Sequence, residues 1–304
     1  ISTTFSGNPL FVSLPALVAD GLLTEATLKR IVADKPDDTE GDLHRMVYDY
    51  VFHRQADALE EAYRTFREKR EAGDAGVQAL AREFEQYQEA NAEWLENDAL
   101  YEVLSELHGN DYWPLWPDTL DKNLKNPRND DEQAAAARRI AQIRRDHGER
   151  LEAYAFRQFL VHRQRQATNR FAEERDIKLI ADRQVGFSDR DIWAYRSLFL
   201  DDYLLGAPPD HFSQSGQAWG FNILDPALIF DDDGRLGPAG HLLKTLYDMT
   251  FAKNPGGVRI DHIIGLIDPW VYRQGHQPVP EEGAARLHSS PGHEALGRYS
   301  RIGE

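Results

Sequence analysis

The chain has 304 residues, of which 41% are hydrophobic and 28% are charged, a composition typical of a globular protein with a sizeable core. Its 35 basic and 51 acidic residues give a formal charge of −16, and such a surface repels phosphate backbones and argues against nucleic acid as a partner. The absence of cysteine excludes disulfides, thiolate nucleophiles and cysteine-based metal sites.

The first half of the chain has the pattern of a helical protein. Residues 5–24 indicate a short extended run with a Gly-Asn-Pro turn, followed by a short helix. From about 24 to 107, aliphatic and aromatic residues recur at helical spacing among many Glu, Arg and Ala residues. An aromatic-rich loop is predicted at 108–120, and helix resumes near 131 in two pieces divided around Gly148.

The second half of the chain alternates helices with strands. A helical pattern over 151–176 runs directly into the strand-like IKLIAD, 177–182, and a second helix, 239–254, runs into GGVRIDHI, 256–263. The stretch between them, 183–238, is predicted to be irregular because it is rich in Gly, Pro, Asp and aromatic residues. Helix followed directly by strand is typical of parallel α/β proteins. An acid lies near the end of each strand, where α/β barrels place their catalytic groups.

The second predicted strand carries charged residues among its apolar ones. Arg259 and Asp261 are two residues apart, so they face the same side of a strand. One interpretation is a buried structural ion pair. The other is a carboxylate at a strand end that a neighbouring guanidinium keeps ionised, which suits a nucleophile better than a proton donor.

Asp182, which ends the first predicted strand, also has two interpretations. It can serve as a cap or pair with Arg183. Alternatively, it lies at the same end of a barrel as Asp261 and orients Arg259 or a substrate hydroxyl.

Residues 206–226, GAPPDHFSQSGQAWGFNILDP, mix a stiff backbone with hydrogen-bonding and flat apolar side chains. Sugars present hydroxyl edges and apolar C–H faces, so such a loop suits a carbohydrate. The alternative is a compact surface loop packed on its own side chains. The polar candidates are Asp210, Gln217 and Asn222, and the aromatic candidates are Phe212, Trp219 and Phe221.

These motifs resemble those of the 4-α-glucanotransferases, also called amylomaltases or disproportionating enzymes, a branch of the α-amylase superfamily. The matching segments, in order along the chain, are FSGNPLFVSL, IADRQVGF, GAPPDHFSQSGQAWG and VRIDH. The long loop motif together with RIDH is highly specific. The resemblance implies an α/β fold that forms part of a (β/α)8 barrel of the TIM type with a large helical insertion. It also implies transfer of α-1,4-glucan segments between malto-oligosaccharides by a retaining double displacement.

The resemblance assigns roles to individual residues of this chain. Asp261 matches the nucleophile and Arg259 the arginine that holds it, while His262 matches a histidine that contacts the sugar. Asp182 matches an acid that closes an earlier strand. The residues that match the loop covering the bound glucan are Asp210, Gln217 and Trp219.

The resemblance also predicts how the chain is divided. Residues 1–23 and 151–304 match barrel segments, and 24–150 match the helical insertion subdomain. The family's acid/base glutamate is expected beyond residue 304, and its first barrel segment before residue 1. We therefore expect the 304 residues to be an internal segment of the enzyme and to be catalytically silent alone.

No cofactor and no metal ion are expected. The chain has no Gly-rich nucleotide-binding motif, and His44, His53 and His162 do not form a metal-binding spacing. No window approaches 18 uninterrupted apolar residues, so we expect no membrane span and a cytoplasmic location.

The alternatives to the transferase are a non-catalytic α-glucan-binding fragment and an α-glucan hydrolase on the same scaffold. Oligomeric state is not encoded in any pattern of this chain.

Overall fold

A computed structural model describes residues 5–36 and 47–301; the other residues, among them His44, lie outside the described part. The chain divides into two compact units. The first contains residues 6–111 and 137–168, and the second contains 112–136 and 169–304. These boundaries separate a helical unit from a mixed unit. The assignment of 24–150 to an insertion between barrel segments stays a prediction.

Helices occupy most of the first unit, as the apolar spacing predicts. The helices of the chain are α1 (Leu14–Ala19), α2 (Glu25–Ala33), α3 (Tyr48–Glu71), α4 (Ala75–Ala90), α5 (Ala92–His108), α6 (Thr119–Lys122), α7 (Asp130–Glu173), α8 (Asp189–Tyr195), α9 (Pro238–Lys253) and α10 (Ile264–Ile267). In α7 the helical dihedrals are interrupted at His147, with φ −133° and ψ 21°, next to the predicted division at Gly148.

Aromatic side chains form the core of the first unit. The ring of Phe156 on α7 stacks on Phe66 of α3 at 4.4 Å and meets Phe84 of α4 edge-on at 5.4 Å. These three side chains are completely buried. Offset and edge-on aromatic contacts stabilise such a core beyond the burial of their area.

A polar network lies beside this aromatic core. The Tyr63 hydroxyl donates to Glu152 Oε2 at 2.7 Å, and Arg70 donates to both carboxylate oxygens of Glu152 at 2.9 and 3.1 Å. Burial raises the pKa of the Tyr63 hydroxyl, and the hydrogen bond to Glu152 raises it further. Burial also raises the pKa of Glu152, but the hydrogen bonds from Arg70 and Tyr63 outweigh it, so the pKa lies below its usual range.

We expect Glu152→Gln to destabilise the protein at neutral pH by about 1–3 kcal/mol, because Arg70 loses its charged partner. Since the pKa of Glu152 is lowered on folding, its stabilising contribution is present above the unfolded-state value of about 4.3 and is lost as pH falls through the folded-state value. Urea unfolding at pH 7 and below pH 4 checks this, because the difference between parent and variant must shrink in acid. The matched control is Glu149→Gln, which removes an exposed partner of Arg67. An equal loss from both substitutions would contradict the network's role.

The second unit contains two sheets. Its strands are β1 (Ala181–Arg183), β2 (Phe199–Ala207), β3 (Gln217–Leu224), β4 (Val258–Ile260), β5 (Trp270–Arg273) and β6 (Ala285–Arg286). β1 pairs with β4 in parallel, and each follows a long helix, α7 and α9 respectively. This confirms the α/β alternation. The remaining strands form an antiparallel sheet in the order β3-β2-β5-β6.

The prediction of an irregular stretch over 183–238 was wrong, because β2 and β3 form a long hairpin there and α8 precedes it. The register of the hairpin shifts twice, and Asp202 has a φ of 64°, so the alternation of buried and exposed residues is broken. Gly206 is required in β2, since a β-carbon there would lie 2.5 Å from the Gln217 carbonyl oxygen. Glycine and bulges hide a strand from pattern analysis.

Candidate active site

The parallel pair β1–β4 positions the charged residues that the sequence singled out. Asp182 lies directly opposite Arg259 in the register of the two strands. The backbone N–H of Asp261 donates to the Arg183 carbonyl oxygen at 2.8 Å, so the pairing continues one residue beyond β4. Strand β1, which contains Asp182, starts at Ala181, four residues after the predicted start at residue 177. The two acids and the arginine therefore lie together at the end of the pair.

The Arg259 guanidinium bridges the two carboxylates. Its Nη1 lies 2.5 Å from Asp182 Oδ2, and its Nη2 lies 3.1 Å from Asp261 Oδ1. The side chains of Arg259, Asp182 and Asp261 are 61%, 64% and 62% exposed. The interpretation as a buried ion pair is therefore wrong for this chain. Exposed ion pairs contribute little to stability, so the arrangement is better explained by the chemistry of an accessible carboxylate.

His262 follows in a strained backbone conformation. Its φ is 56°, in the left-handed region that non-glycine residues rarely adopt. Its ring meets the Trp219 ring edge-on at 4.8 Å, and its buried Nε2 has no hydrogen-bond partner among the described residues. Strain of this kind persists only where the surroundings enforce it, and it is concentrated at functional sites. The turn aims the imidazole beside Asp261 towards the hairpin.

The hairpin β2–β3 carries the predicted covering loop between its strands. Gln217 and Trp219 are two apart in β3, and the Trp219 indole N–H donates to Gln217 Oε1 at 3.1 Å. The backbone N–H of Gly220 donates to the Tyr272 hydroxyl at 3.2 Å and ties the hairpin to β5. Through the ring contact with His262, Trp219 brings β3 to the end of β4.

Asp210 has a local task in this loop. Its Oδ1 accepts the backbone N–H groups of Phe212 at 2.8 Å and Ser213 at 2.7 Å, so the carboxylate holds the turn. Phe212, by contrast, is 93% exposed. The self-supporting turn matches the compact-loop interpretation, whereas the exposed aromatic ring is available to a ligand. The structure therefore joins Trp219 and His262 to one site and does not place Asp210 in contact with them.

Several neighbours of this site were missed by the sequence argument. A β-carbon added at Gly265 would lie 3.0 Å from Val185 Cγ2 and 3.3 Å from His262 Cδ2. One added at Gly186 would lie 2.5 Å from the Phe221 ring. These glycines allow close contacts beside the imidazole and between β3 and the residues after β1. The sequence signal for both glycines is weak, because it consists of a glycine four residues after Asp182 and another four residues after Asp261.

The site contains nothing that indicates a resident metal ion. Within 5–36 and 47–301, no group of three or more His, Asp or Glu side chains is arranged to hold one. None of the described helices combines the length and apolar character needed to cross a membrane.

Comparison with known proteins decides the family. A sequence model described as 4-alpha-glucanotransferase matches residues 1–296. The chain belongs to the 4-alpha-glucanotransferase family. It is 27% identical over 278 residues to the 4-alpha-glucanotransferase of Streptococcus pneumoniae, with 88% of this chain and 48% of that protein covered. It is 29% identical over 276 residues to the 4-alpha-glucanotransferase of Thermus thermophilus, with the same two coverages.

Solved structures of family members share the fold. The amylomaltase of Streptococcus agalactiae in complex with acarbose has a TM-score of 0.71 at 19% identity, covering 93% of this chain and 52% of that one. The amylomaltase of Corynebacterium glutamicum has a TM-score of 0.61 at 18% identity, covering 91% and 34%. The predicted fold class, part of a (β/α)8 barrel of this family, is confirmed. The chain spans about half the length of the curated relatives it matches.

Proposed function

We propose that the protein carrying this chain is a 4-α-glucanotransferase that moves α-1,4-glucan segments between malto-oligosaccharides. The observation that supports it best is the bridge from Arg259 to Asp182 and Asp261 at the end of two parallel strands. Family membership supports the same reaction. The substrate is a malto-oligosaccharide or longer α-glucan, and the protein acts in the cytoplasm.

In this mechanism the Asp261 carboxylate attacks the anomeric carbon. The donor bond breaks, a covalent glycosyl-enzyme forms, and an acceptor hydroxyl then displaces Asp261 with retention of configuration. The reaction needs a second carboxyl group about 5–5.5 Å from the nucleophile, which protonates the leaving oxygen in the first step and takes the proton of the acceptor hydroxyl in the second. We assign this task to the acid/base glutamate that the family resemblance implies, because Asp182 is held by Arg259. Arg259 fixes the orientation of Asp261 for attack.

Transfer in place of hydrolysis requires that water be kept from the glycosyl-enzyme while an acceptor is bound. Trp219 offers a flat apolar face beside His262, and Gln217 orients the indole by accepting its N–H. We assign His262, whose ring meets that of Trp219 edge-on, to contact with the bound sugar. Asp210 acts less directly, by holding the turn that presents Phe212. Residues 24–150 would form the helical insertion subdomain.

Product analysis tests the proposal. The full natural polypeptide that contains residues 1–304 is incubated with maltotriose, and the products are separated by chain length. A ladder of longer oligosaccharides is the expected result. Glucose and maltose alone would indicate a hydrolase, and binding of maltotriose without turnover would indicate a non-catalytic glucan-binding protein.

Trp219→Ala is expected to raise KM for maltotriose about tenfold and to increase the ratio of hydrolysis to transfer. Removing the indole takes away a stacking face and a barrier to water. Truncation of an aromatic ring at a binding site costs about 1–3 kcal/mol of binding free energy. Initial rates and the ratio of free glucose to longer products are measured together.

The matched control for Trp219→Ala is Phe251→Ala, which removes an exposed ring from α9. We expect the control to keep the parent's KM and product ratio. If Trp219→Ala also keeps both, the indole is a structural contact of the hairpin and not part of the substrate site.

A further inference from the structure

A cavity of about 820 Å³ opens in the mixed unit, and Asp261 is not among the residues that line it. Its walls come from the segment before α7, from the turn leading into β2, from the first residues of β2, and from residues 295–299. It lies at the beginning of β2, whereas the covering loop follows the end of that strand at Ala207. The β2 residues that line the cavity lie between 199 and 203, in the first half of the strand, whereas the covering loop follows its second half.

Positive charge is concentrated in this cavity, although the chain as a whole carries −16. Four basic side chains line it, and two acidic ones. The basic residues are Lys125, Arg128, Arg196 and Arg298, and the acidic residues are Asp201 and Asp225. Asp225 Oδ1 already accepts the Ala227 backbone N–H at 2.9 Å, which leaves less of its charge facing the cavity. Four basic side chains against Asp201, Asp225 and Glu132, the partner of Arg128, leave a local excess of one positive charge.

Arg196 is held in place by neutral partners. Its guanidinium donates to Asn123 Oδ1 and lies over the Trp113 ring at 5.1 Å. Burial lowers the pKa of Arg196, and the nearby positive charge of Arg128 lowers it further, against the opposing effect of Asp201. Arg128 itself pairs with the Glu132 carboxylate at 3.0 Å, whereas Arg196 donates to a neutral amide, so Arg196 is the better placed of the two to bind an anion.

Two further cations have no competing acid. Among the described residues, neither Lys125 nor Arg298 has a carboxylate within ion-pair distance; Arg298 lies over the Tyr299 ring at 4.7 Å. Burial raises the pKa of the Tyr299 hydroxyl and Asp225 raises it further, while the charge of Arg298 and its hydrogen bond to the hydroxyl oppose them. The cavity thus offers charged donors without carboxylate partners next to aromatic surface.

The beginning of β2 is shaped to serve this cavity. The register of the hairpin shifts after Phe199, and Asp202 adopts a φ of 64° between Asp201 and Tyr203, which both line the wall. A bulge re-aims the side chains beside it and is common next to binding sites. Here Tyr203 joins the wall together with Leu200, whose core cluster it packs against.

We propose that this cavity is a binding site for a small phosphate monoester of hexose size, such as a sugar phosphate. The phosphate would be held by Lys125, Arg196 and Arg298, while Arg128 stays paired with Glu132. The organic part would lie against Tyr203 and Tyr299. The volume fits the range of small-molecule sites. A polymer with a phosphate backbone is disfavoured by the surrounding negative charge.

The test is calorimetric titration of the full natural polypeptide with glucose 1-phosphate, glucose 6-phosphate, inorganic phosphate and glucose, in buffer free of phosphate. The proposal predicts that a hexose phosphate binds at least tenfold more tightly than inorganic phosphate, and that inorganic phosphate competes with it. The combined substitution Lys125→Gln and Arg298→Gln should weaken hexose phosphate binding at least tenfold. Both side chains lie at the cavity rim and hold no ion pair, so the thermal midpoint should not change.

The matched control is Arg235→Gln, which removes an exposed arginine of the same unit that pairs with Asp233 at 2.8 Å. It should leave hexose phosphate binding unchanged. Asp261→Asn should also leave it unchanged, which separates this cavity from the glucan site; disproportionation of maltotriose is scored independently. The proposal is overturned if no phosphate compound binds, if inorganic phosphate binds as tightly as the esters, or if the double substitution binds the esters as the parent does.

Discussion

Asp261→Asn is expected to lower kcat for maltotriose disproportionation by about 10⁴-fold or more, the scale of loss seen when a covalent nucleophile is removed. Asparagine has nearly the same shape as aspartate but lacks the charge needed to attack the anomeric carbon. Because the Asp261 side chain is 62% exposed and its ion pair with Arg259 is accessible to water, the substitution should change stability by less than about 1 kcal/mol. Turnover and thermal midpoint are measured on the same preparation.

A matched acid on the same unit separates the chemical effect from a general effect of charge. Asp248→Asn removes an exposed carboxylate of α9 that pairs with Lys244. This control should retain the parent's kcat. Activity of Asp261→Asn within tenfold of the parent would exclude it as the nucleophile, whatever happens to the control.

Local information was enough to predict the long helices and the two strands of the parallel pair. In α3, α4 and α7, apolar residues at helical spacing form one buried face that includes Phe66, Phe84 and Phe156. Each helix can therefore be recognised from its own segment of sequence. β4 is readable because helix α9 leads directly into a β-branched run. The same-face position of Arg259 and Asp261 follows from the period of a strand and is confirmed by their contact.

The antiparallel sheet could not be predicted, because its determinants are contacts between distant residues. β2 pairs with β5, about 70 residues later in the chain, and nothing in either segment indicates the partner. Gly206 looks like a loop residue in sequence, but it is the place where β3 and Tyr272 approach the backbone of β2 too closely for a side chain. Register shifts then remove the alternation that would have identified the strand.

The ionic contact of the candidate site followed from strand geometry, whereas Trp219 and His262 were named through the family resemblance and their mutual contact was not predicted. Strand ends bring Asp182 and Asp261 together once the two strands are parallel neighbours. The contact of Trp219 with His262 depends on the path of a hairpin that was not foreseen, and on a left-handed residue after the nucleophile candidate. A positive φ at histidine has no reliable sequence signal, since it is imposed by the surrounding structure.

Arg259→Lys is expected to lower kcat by about 10²-fold with little change in KM, because positioning of the nucleophile matters more in the transition state than in substrate binding. The guanidinium reaches Asp182 through Nη1 and Asp261 through Nη2 at the same time. A lysine ammonium preserves the charge but is a compact point charge without the planar fork, so it cannot hold both carboxylates in this geometry. The matched control is Arg273→Lys, an exposed arginine at the end of β5, for which we expect the parent's kinetics.

A double-mutant cycle with Asp182→Asn distinguishes a bridge from two independent contacts. If Arg259 orients Asp261 only while Asp182 anchors its other end, the loss from Arg259→Lys should be much smaller in the Asp182→Asn background than in the parent, a coupling of about 1 kcal/mol or more in transition-state stabilisation. Losses that add independently would mean that Asp182 acts on the substrate directly and not through the arginine. Parent-like kcat and KM for Arg259→Lys itself would show that the bridging geometry at the ends of β1 and β4 is dispensable. The proposed mechanism would then lose the observation on which it most depends.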